Sequence, residues 1–533
     1  MFDLIVGDVR IVDGSGGPWF HGWIGIRDGR IARVGHGSPP RATRTLDGRG
    51  LVACPGFIDI HGHSDLALLV NPTADSKVLQ GVTTEVIGNC GYSPAPVTEV
   101  SLPELRAAAG RLGDEVDWSW RSFGDYLERL GGTSLNVVPL VGHGAVRLAI
   151  LGADDRAPAP EELAEMERLV EEAMAAGAFG LSSGLIYPPG CFAGTEELIA
   201  LARAAGRWGG LYATHIRGEG DTLVAAVAEA IRIGEEAGVR VEIAHHKAVG
   251  EKNWGKVRET LAMMEEARRR GVDVACDVYP YAASSTTLTA CFPPWAHRGG
   301  LRSLLERLRD PGAREEIRRS IFEDGGWENF LRQGNWSRIR VSGVKSEKNR
   351  ELVGRDLEEI ARIRGKDPFD ALCNLVLEEE GDVSMVVFEM DPGDVAFVLA
   401  HRLSCVGSDG VCLAPRGILG EGKPHPRSYG TFPRVLGEYV REEGLLPLEE
   451  AVRKMTSHPA RRLGLQDRGL IAPGFAADLV ILDPERIGDR ATFAEPHRFP
   501  AGIEWVLVNG EVVVERGEHT GTTPGRLLRR GSR

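Results

Sequence analysis

Residues 55–65 read PGFIDIHGHSD, an apolar run that ends in two histidines separated by one glycine. Apolar residues followed abruptly by His61-Gly62-His63 read as a short buried strand emerging at a polar edge. Side chains at i and i+2 of a strand point the same way, so both imidazoles can face one ion. The opposite end of the chain supplies a partner of the same kind. Residues 402–410, RLSCVGSDG, form a second apolar run that ends on Ser408-Asp409-Gly410.

Between these two lie six more runs of this type: VTTEVIGN (82–89), LNVVPLVGH (135–143), AFGLSSG (178–184), LYATHI (211–216), RVEIAHHK (240–247) and VDVACDVYP (272–280). Most are flanked by segments of helical period, such as PEELAEMERLVEEAMAAG (160–177), TEELIALARAAGRWGG (195–210) and DTLVAAVAEAIRIGEEAG (221–238). Eight strands alternating with helices predict an α/β protein built on a TIM-like (β/α)8 barrel. Spacing is regular up to the seventh strand and then widens. The charged, helix-rich stretch before strand 8 reads as an insertion, with a lid expected at about 291–345. The two termini have another texture. LIVGDVRIV, WIGIRDGRIARVG, LVILDP and the Asn509-Gly510 hairpin signal in VLVNGEVVVERGE predict a small β-sandwich domain assembled from both ends. The expected division is 1–54 and 466–533 for that domain and 55–465 for the barrel.

Composition restricts the class of function. The chain has 533 residues, with 42% hydrophobic and 26% charged, which excludes collagen-like and disordered sequences. Lys plus Arg is 63 against 76 Asp plus Glu, a net charge of −13, which argues against a nucleic-acid surface. The eight cysteines form no CxxC pair, so a disulfide framework is not expected. No leader-like N-terminal segment and no membrane-length apolar run is visible. A cytoplasmic enzyme acting on a small molecule is expected, with no membrane partner; no pattern sets an oligomeric state.

The polar residues that end the strands carry the chemistry, because active sites of such barrels lie at the C-terminal ends of their strands. Cys90, after strand 2, offers a thiolate between glycines, a strong zinc ligand in its charged form. His215 ends strand 5. At the end of strand 6, His245 and Lys247 share a parity, and His246 points outward toward a helix. Asp409 is placed as a general base beside a metal-bound water. Arg427, in His425-Pro426-Arg427, can clamp a carboxylate with two parallel N–H bonds. Tyr279, Tyr281 and the hydroxyls of Ser284, Ser285 and Thr286 are expected at the same rim.

This order of ligands resembles the amidohydrolase superfamily. Within it, QGVTTEVIGNCGYSPAP, GLIYPPG, THIRGEG, AHHKAVG, DVYPYAASST, GSDG and HPRSYGTFPRVLGEYVR resemble the N-acyl-D-amino-acid deacylases, also called D-aminoacylases, over nearly the whole chain. The resemblance implies hydrolysis of the linear amide of N-acyl-D-amino acids. Cys90, His215 and His245 would hold a tightly bound zinc ion. His61 and His63 would line a second, weaker metal position, bridged by Cys90. It also implies Asp409 as catalytic acid and base, Lys247, Tyr279, Ser285 and Arg427 as substrate contacts, and Tyr187 beside the scissile amide. Preference for the D form rests on the resemblance alone. After YPP the chain continues GCFAGTEEL, a loop that departs from the family pattern. Two other readings are a cyclic amidase of hydantoinase or dihydroorotase type and an inactive barrel scaffold. The first usually bridges two metals through a carbamylated lysine after strand 4, and AFGLSSGLIYPP contains no lysine.

Overall fold

The structure is a computed structural model that describes residues 1–323, 325–332 and 334–530. Eight parallel strands define the barrel: β1 (Phe57–Asp59), β2 (Val82–Ile87), β3 (Asn136–Pro139), β4 (Gly180–Gly184), β5 (Leu211–His215), β6 (Arg240–Ile243), β7 (Val274–Val278) and β8 (Ser404–Val406). Strands β1 to β3 pair in sequence, and β4 to β8 pair in sequence. The chain passes from β3 straight into Val141–Gly142, which pairs with β4 and joins the two runs. At the other seam, a bridge between Gly62 and Gly410 links the ends of β1 and β8.

The helices bury the faces their periodicity predicts. Leu223–Ala237 turns Leu223, Ala226, Val227, Ala230, Ile231 and Gly234 inward, an i, i+3, i+4 stripe, and stops where Gly238 takes the left-handed conformation at φ 66°. Lys256–Arg269 packs outside β6, and His246 Nε2 meets Thr260 Oγ1 there at 2.8 Å. The outward parity read for His246 is therefore what the structure shows.

The seam between β1 and β8 rests on a buried ionic knot. Lys77 Nζ contacts Asp59 Oδ2 (2.7 Å), Glu85 Oε1 (3.0 Å), Ser408 Oγ (2.8 Å) and the Gly410 carbonyl (3.1 Å). All of these side chains are fully buried. Strands β1, β2 and β8 are thus tied together immediately below His61 and Asp409.

Both termini build one nine-stranded sheet. Phe2–Ile11 lies at its centre, and Val52–Pro55 from the N-terminal side pairs antiparallel with Leu479–Leu482 from the C-terminal side. Leu4, Val6, Ile24, Leu479, Ile481 and Leu507 share its core.

The insertion has boundaries different from those read in the sequence. A separate antiparallel sheet places Val383–Val387 between Ser284–Thr287 and Ile339–Val344, with its own apolar core around Phe292, Leu304, Leu372 and Met385. The unit therefore begins before residue 291 and runs well past 345. Its middle strand is the last in sequence, a non-local pairing that periodicity does not reveal. No helix among the described residues is long and apolar enough to cross a membrane.

Candidate metal centre and active site

His61 and His63 leave the end of β1 on one side of the chain. Only a glycine fits between them, because a Cβ on Gly62 would lie 2.0 Å from Glu85 Oε1. His61 Nδ1 faces Asp277 Oδ2 at 3.2 Å, which leaves its Nε2 toward Cys90 Sγ at 3.3 Å. Asp277 also accepts the backbone N–H of His245 at 2.8 Å. One carboxylate on β7 therefore sets the orientation of groups from β1 and β6, an arrangement typical of the outer partners of metal ligands.

Cys90, His215 and His245 converge from β2, β5 and β6. Cys90 Sγ lies 3.6 Å from His245 Nε2, and the His215 and His245 rings are 4.4 Å apart. His215 is 4% exposed, yet neither ring nitrogen has a hydrogen-bond partner among the described residues. A buried polar group left unpaired costs free energy, which a metal bond would offset. Three of the ten non-glycine residues with left-handed backbone among the described residues lie at this site: Cys90, His245 and Asp409 have φ of 52°, 35° and 51°. Such conformations cost on the order of 1 kcal/mol or more for each non-glycine residue and persist where function requires a given side-chain direction.

Ligand atoms of three groups lie within 4.8 Å of one another: His61, Cys90 and His245; His61, His63 and Asp409; and His215, Glu219 and His245. The donor set of thiolate and imidazoles suits zinc. Its electrostatics suit a cation as well. Burial pushes the Cys90 thiol up, but the charge of His61 and the imidazoles of His215, His245 and His61 around it outweigh that and hold the thiol well below its usual range. Burial likewise opposes ionisation of Asp409, but Arg427, His245 and His61 keep its carboxyl well below the usual carboxylate value.

Glu219 was not singled out in the sequence. It lies four residues after His215, with Oε1 2.9 Å from His245 Nδ1 and 2.6 Å from Lys247 Nζ. Lys247 Nζ is 2.8 Å from the same imidazole nitrogen, so Lys247 and Glu219 together hold His245 with its Nε2 toward Cys90. A glutamate within THIRGEG at the end of an apolar run was the available signal.

The remaining predicted residues surround this centre. Asp409 Oδ1 meets His63 Nε2 at 2.9 Å, and its Oδ2 lies 2.7 Å from Arg427 Nη1. This pair anchors the guanidinium at the edge of the cavity. Lys247 and Arg427 both lie over the Tyr279 ring, 5.6 and 5.0 Å from its centre. The Tyr279 hydroxyl itself donates to Met390 sulfur (3.8 Å), so Tyr279 presents its ring. Tyr187 packs on His215 and accepts from Thr286 Oγ1 at 3.0 Å, which keeps its own O–H free.

Ser285 differs from its expected role. Its hydroxyl donates to the Met385 carbonyl at 2.8 Å, and only its own carbonyl reaches toward the site, accepting from Arg427 at 3.2 Å. Strand alternation turns Ser284 to the side of Thr286, and the Ser284 hydroxyl is buried without a partner. The GCFAGTEEL loop is a structural element, pinned by Arg217 through the carbonyls of Cys191 and Ala193 (3.3 and 3.0 Å). Cys90, Tyr187, His215, His245, Lys247, Asp409 and Arg427 open on one cavity of about 720 Å³ between the barrel mouth, the insertion and residues 104–112, with fully buried His61 behind its wall.

A family model described as the amidohydrolase family matches residues 44–514. The chain belongs to the amidohydrolase family. Among its relatives in that family, a D-aminoacylase of Alcaligenes xylosoxydans xylosoxydans is 40% identical, over 99% of this chain and 98% of its own length. A solved D-aminoacylase, described as having a binuclear metal centre with one-metal activation and second-metal attenuation, is 38% identical at a TM-score of 0.83, covering 99% of this amidohydrolase and all of that chain. The N-acyl-D-glutamate deacylase of Bordetella bronchiseptica, solved with zinc and a phosphonate mimic of the tetrahedral intermediate, is 36% identical at a TM-score of 0.83 over 99% of both chains.

Proposed function

We propose that this amidohydrolase hydrolyses the linear amide bond of N-acyl-D-amino acids, releasing a carboxylic acid and a free D-amino acid. The observation that carries the reading is the convergence, in one cavity, of buried His215 with Cys90 and His245, beside an ionised Asp409 and the cations Lys247 and Arg427. Cys90, His215 and His245 would hold the tightly bound zinc, and His61 and His63, with Cys90 shared, a second and weaker one. Zinc supplies Lewis acidity there, making water acidic enough to attack near neutral pH and polarising the amide carbonyl.

The chain's own residues do the rest. Asp409, ionised by Arg427 and the histidines, accepts the proton of the attacking water and passes it to the departing nitrogen, without which the leaving group would be an amide anion. Burial keeps the Tyr187 phenol protonated, and its free O–H points to a role at the developing oxyanion. Lys247 and Arg427, both over the Tyr279 ring, hold the substrate α-carboxylate, and this grip fixes the chiral carbon relative to Asp409. The unpartnered Ser284 hydroxyl joins this set in place of the Ser285 hydroxyl.

The cyclic-amidase reading lacks its bridging lysine: β4 and the turn after it read GLSSGLIYPP, and Cys90, grouped with His61 and His245, offers a replacement. All eight cysteines are free thiols, which fits a cytoplasmic setting. The test is a panel of N-acetyl-D- and L-amino acids plus hydantoin and dihydroorotate, run on enzyme of measured zinc content. Hydrolysis of the D series alone is expected. Ring opening at a comparable rate, or a fully zinc-loaded enzyme without amidase activity, refutes the proposal.

A further inference from the structure

We infer that the cavity selects substrates whose amino-acid side chain is apolar and uncharged, and rejects acidic ones; this rests on the deacylase reading above. The decisive observation is the state of the cations around the cavity. Among the described residues its lysine and arginine lining consists of Arg111, Arg217, Lys247 and Arg427. Arg217 is consumed by Glu229 through two N–H groups at 2.9 Å and by the carbonyls of residues 191 and 193. Arg111 is paired with Glu421. Lys247 is paired with Glu219 (2.6 Å) and Arg427 with Asp409 (2.7 Å), and what donor capacity they retain goes, on the deacylase reading, to the α-carboxylate common to every substrate. A second carboxylate therefore finds no free cation.

It also meets like charge. Asp65, Glu104, Glu328 and Asp382 line the same cavity. Asp65 has both carboxyl oxygens unpartnered. Glu328 is held by the backbone N–H groups of Glu219 and Gly220 (2.7 and 3.2 Å), and Glu104 by that of Leu301 (3.2 Å). The backbone donors already occupy Glu328, which makes it a weak lure for a basic side chain. Much of the rest of the wall is apolar, including Leu105, Leu112, Phe292, Leu301, Ile418 and Leu419, and its other polar groups are chiefly uncharged hydroxyls such as those of Thr287, Thr289 and Ser384. Burying an apolar side chain against such a wall is favourable, and burying an unpaired carboxylate there is not.

The experiment compares kcat/KM for the N-acetyl derivatives of D-leucine, D-phenylalanine, D-glutamate, D-aspartate and D-lysine. The apolar pair is expected to exceed the acidic pair by about 100-fold or more, the scale of leaving one buried charge unpaired. A D-glutamate value within tenfold of D-leucine, or D-lysine as the best substrate, overturns the inference while leaving the deacylase reading intact. Turnover of none of the five overturns both. The variant Glu421→Gln frees Arg111 at the cavity rim and is expected to raise the D-glutamate to D-leucine ratio about tenfold. An unchanged ratio removes cation pairing as the source of selectivity.

Discussion

Replacing Asp409 with asparagine separates proton transfer from everything else the residue does. The amide keeps the size of the carboxylate but has a single oxygen, so it can serve either Arg427, 2.7 Å from Oδ2, or His63, 2.9 Å from Oδ1, while its NH2 group takes the other position. What it loses is the capacity to accept a proton. A positioned general base contributes about 10²–10⁴ in rate, and here one group serves first as base and then as acid. The expected loss in kcat therefore lies at the upper end, about 10⁴-fold or roughly 5.5 kcal/mol. Zinc content should stay near one equivalent, because on the proposed assignment Cys90, His215 and His245 would hold the tight site without Asp409. The assay follows release of the free D-amino acid, with zinc measured on the same preparation. Retention of more than about a tenth of the activity would show that Asp409 is not the proton carrier. Loss of zinc in step with activity would make it a structural ligand.

Other substitutions probe other parts of the design. His215→Ala should lose zinc and activity together, since it removes the one buried imidazole with both nitrogens unpartnered; a zinc-replete variant would contradict the assigned ligand set. Arg427→Ala should raise KM for free-acid substrates by about 10–100-fold, and much less for the corresponding amides; equal effects would remove it from carboxylate binding. Lys77→Met leaves Asp59 and Glu85 buried without their cation and should cost about 3–5 kcal/mol of stability in denaturant melts; a loss under 1 kcal/mol would show the knot to be dispensable. Burial lowers His297 from 6.5 to about 4, so the unfolded chain binds its proton first, and stability from this group drains away as pH falls from about 6.5 to about 4. Comparing wild type with His297→Gln isolates it from buried carboxylates of opposite sign such as Glu242; the variant should lose less stability, by about 3 kcal/mol, between pH 7.5 and 4.5.

What could be read directly from the chain was local. Two-residue periodicity places His61 with His63 and His245 with Lys247, turns His246 outward, and sets Cys90, His215 and Asp409 at strand ends, because each assignment depends on a few consecutive residues. The identity of the ligand types and the barrel itself follow from those runs. Tertiary structure alone decided what depends on residues far apart in sequence. Asp277 orients His61 across 216 positions, and Lys77 closes the barrel onto Ser408 across 331. Glu219 is tied to the site by its contact with Lys247, 28 residues away. The insertion's true extent was hidden because its central strand comes last, and the Ser285 hydroxyl turned from the cavity because the sheet offered it the Met385 carbonyl. Periodicity reports which face a side chain takes, whereas the partner of a buried charge or hydroxyl is set by whatever the fold brings within about 3 Å of it.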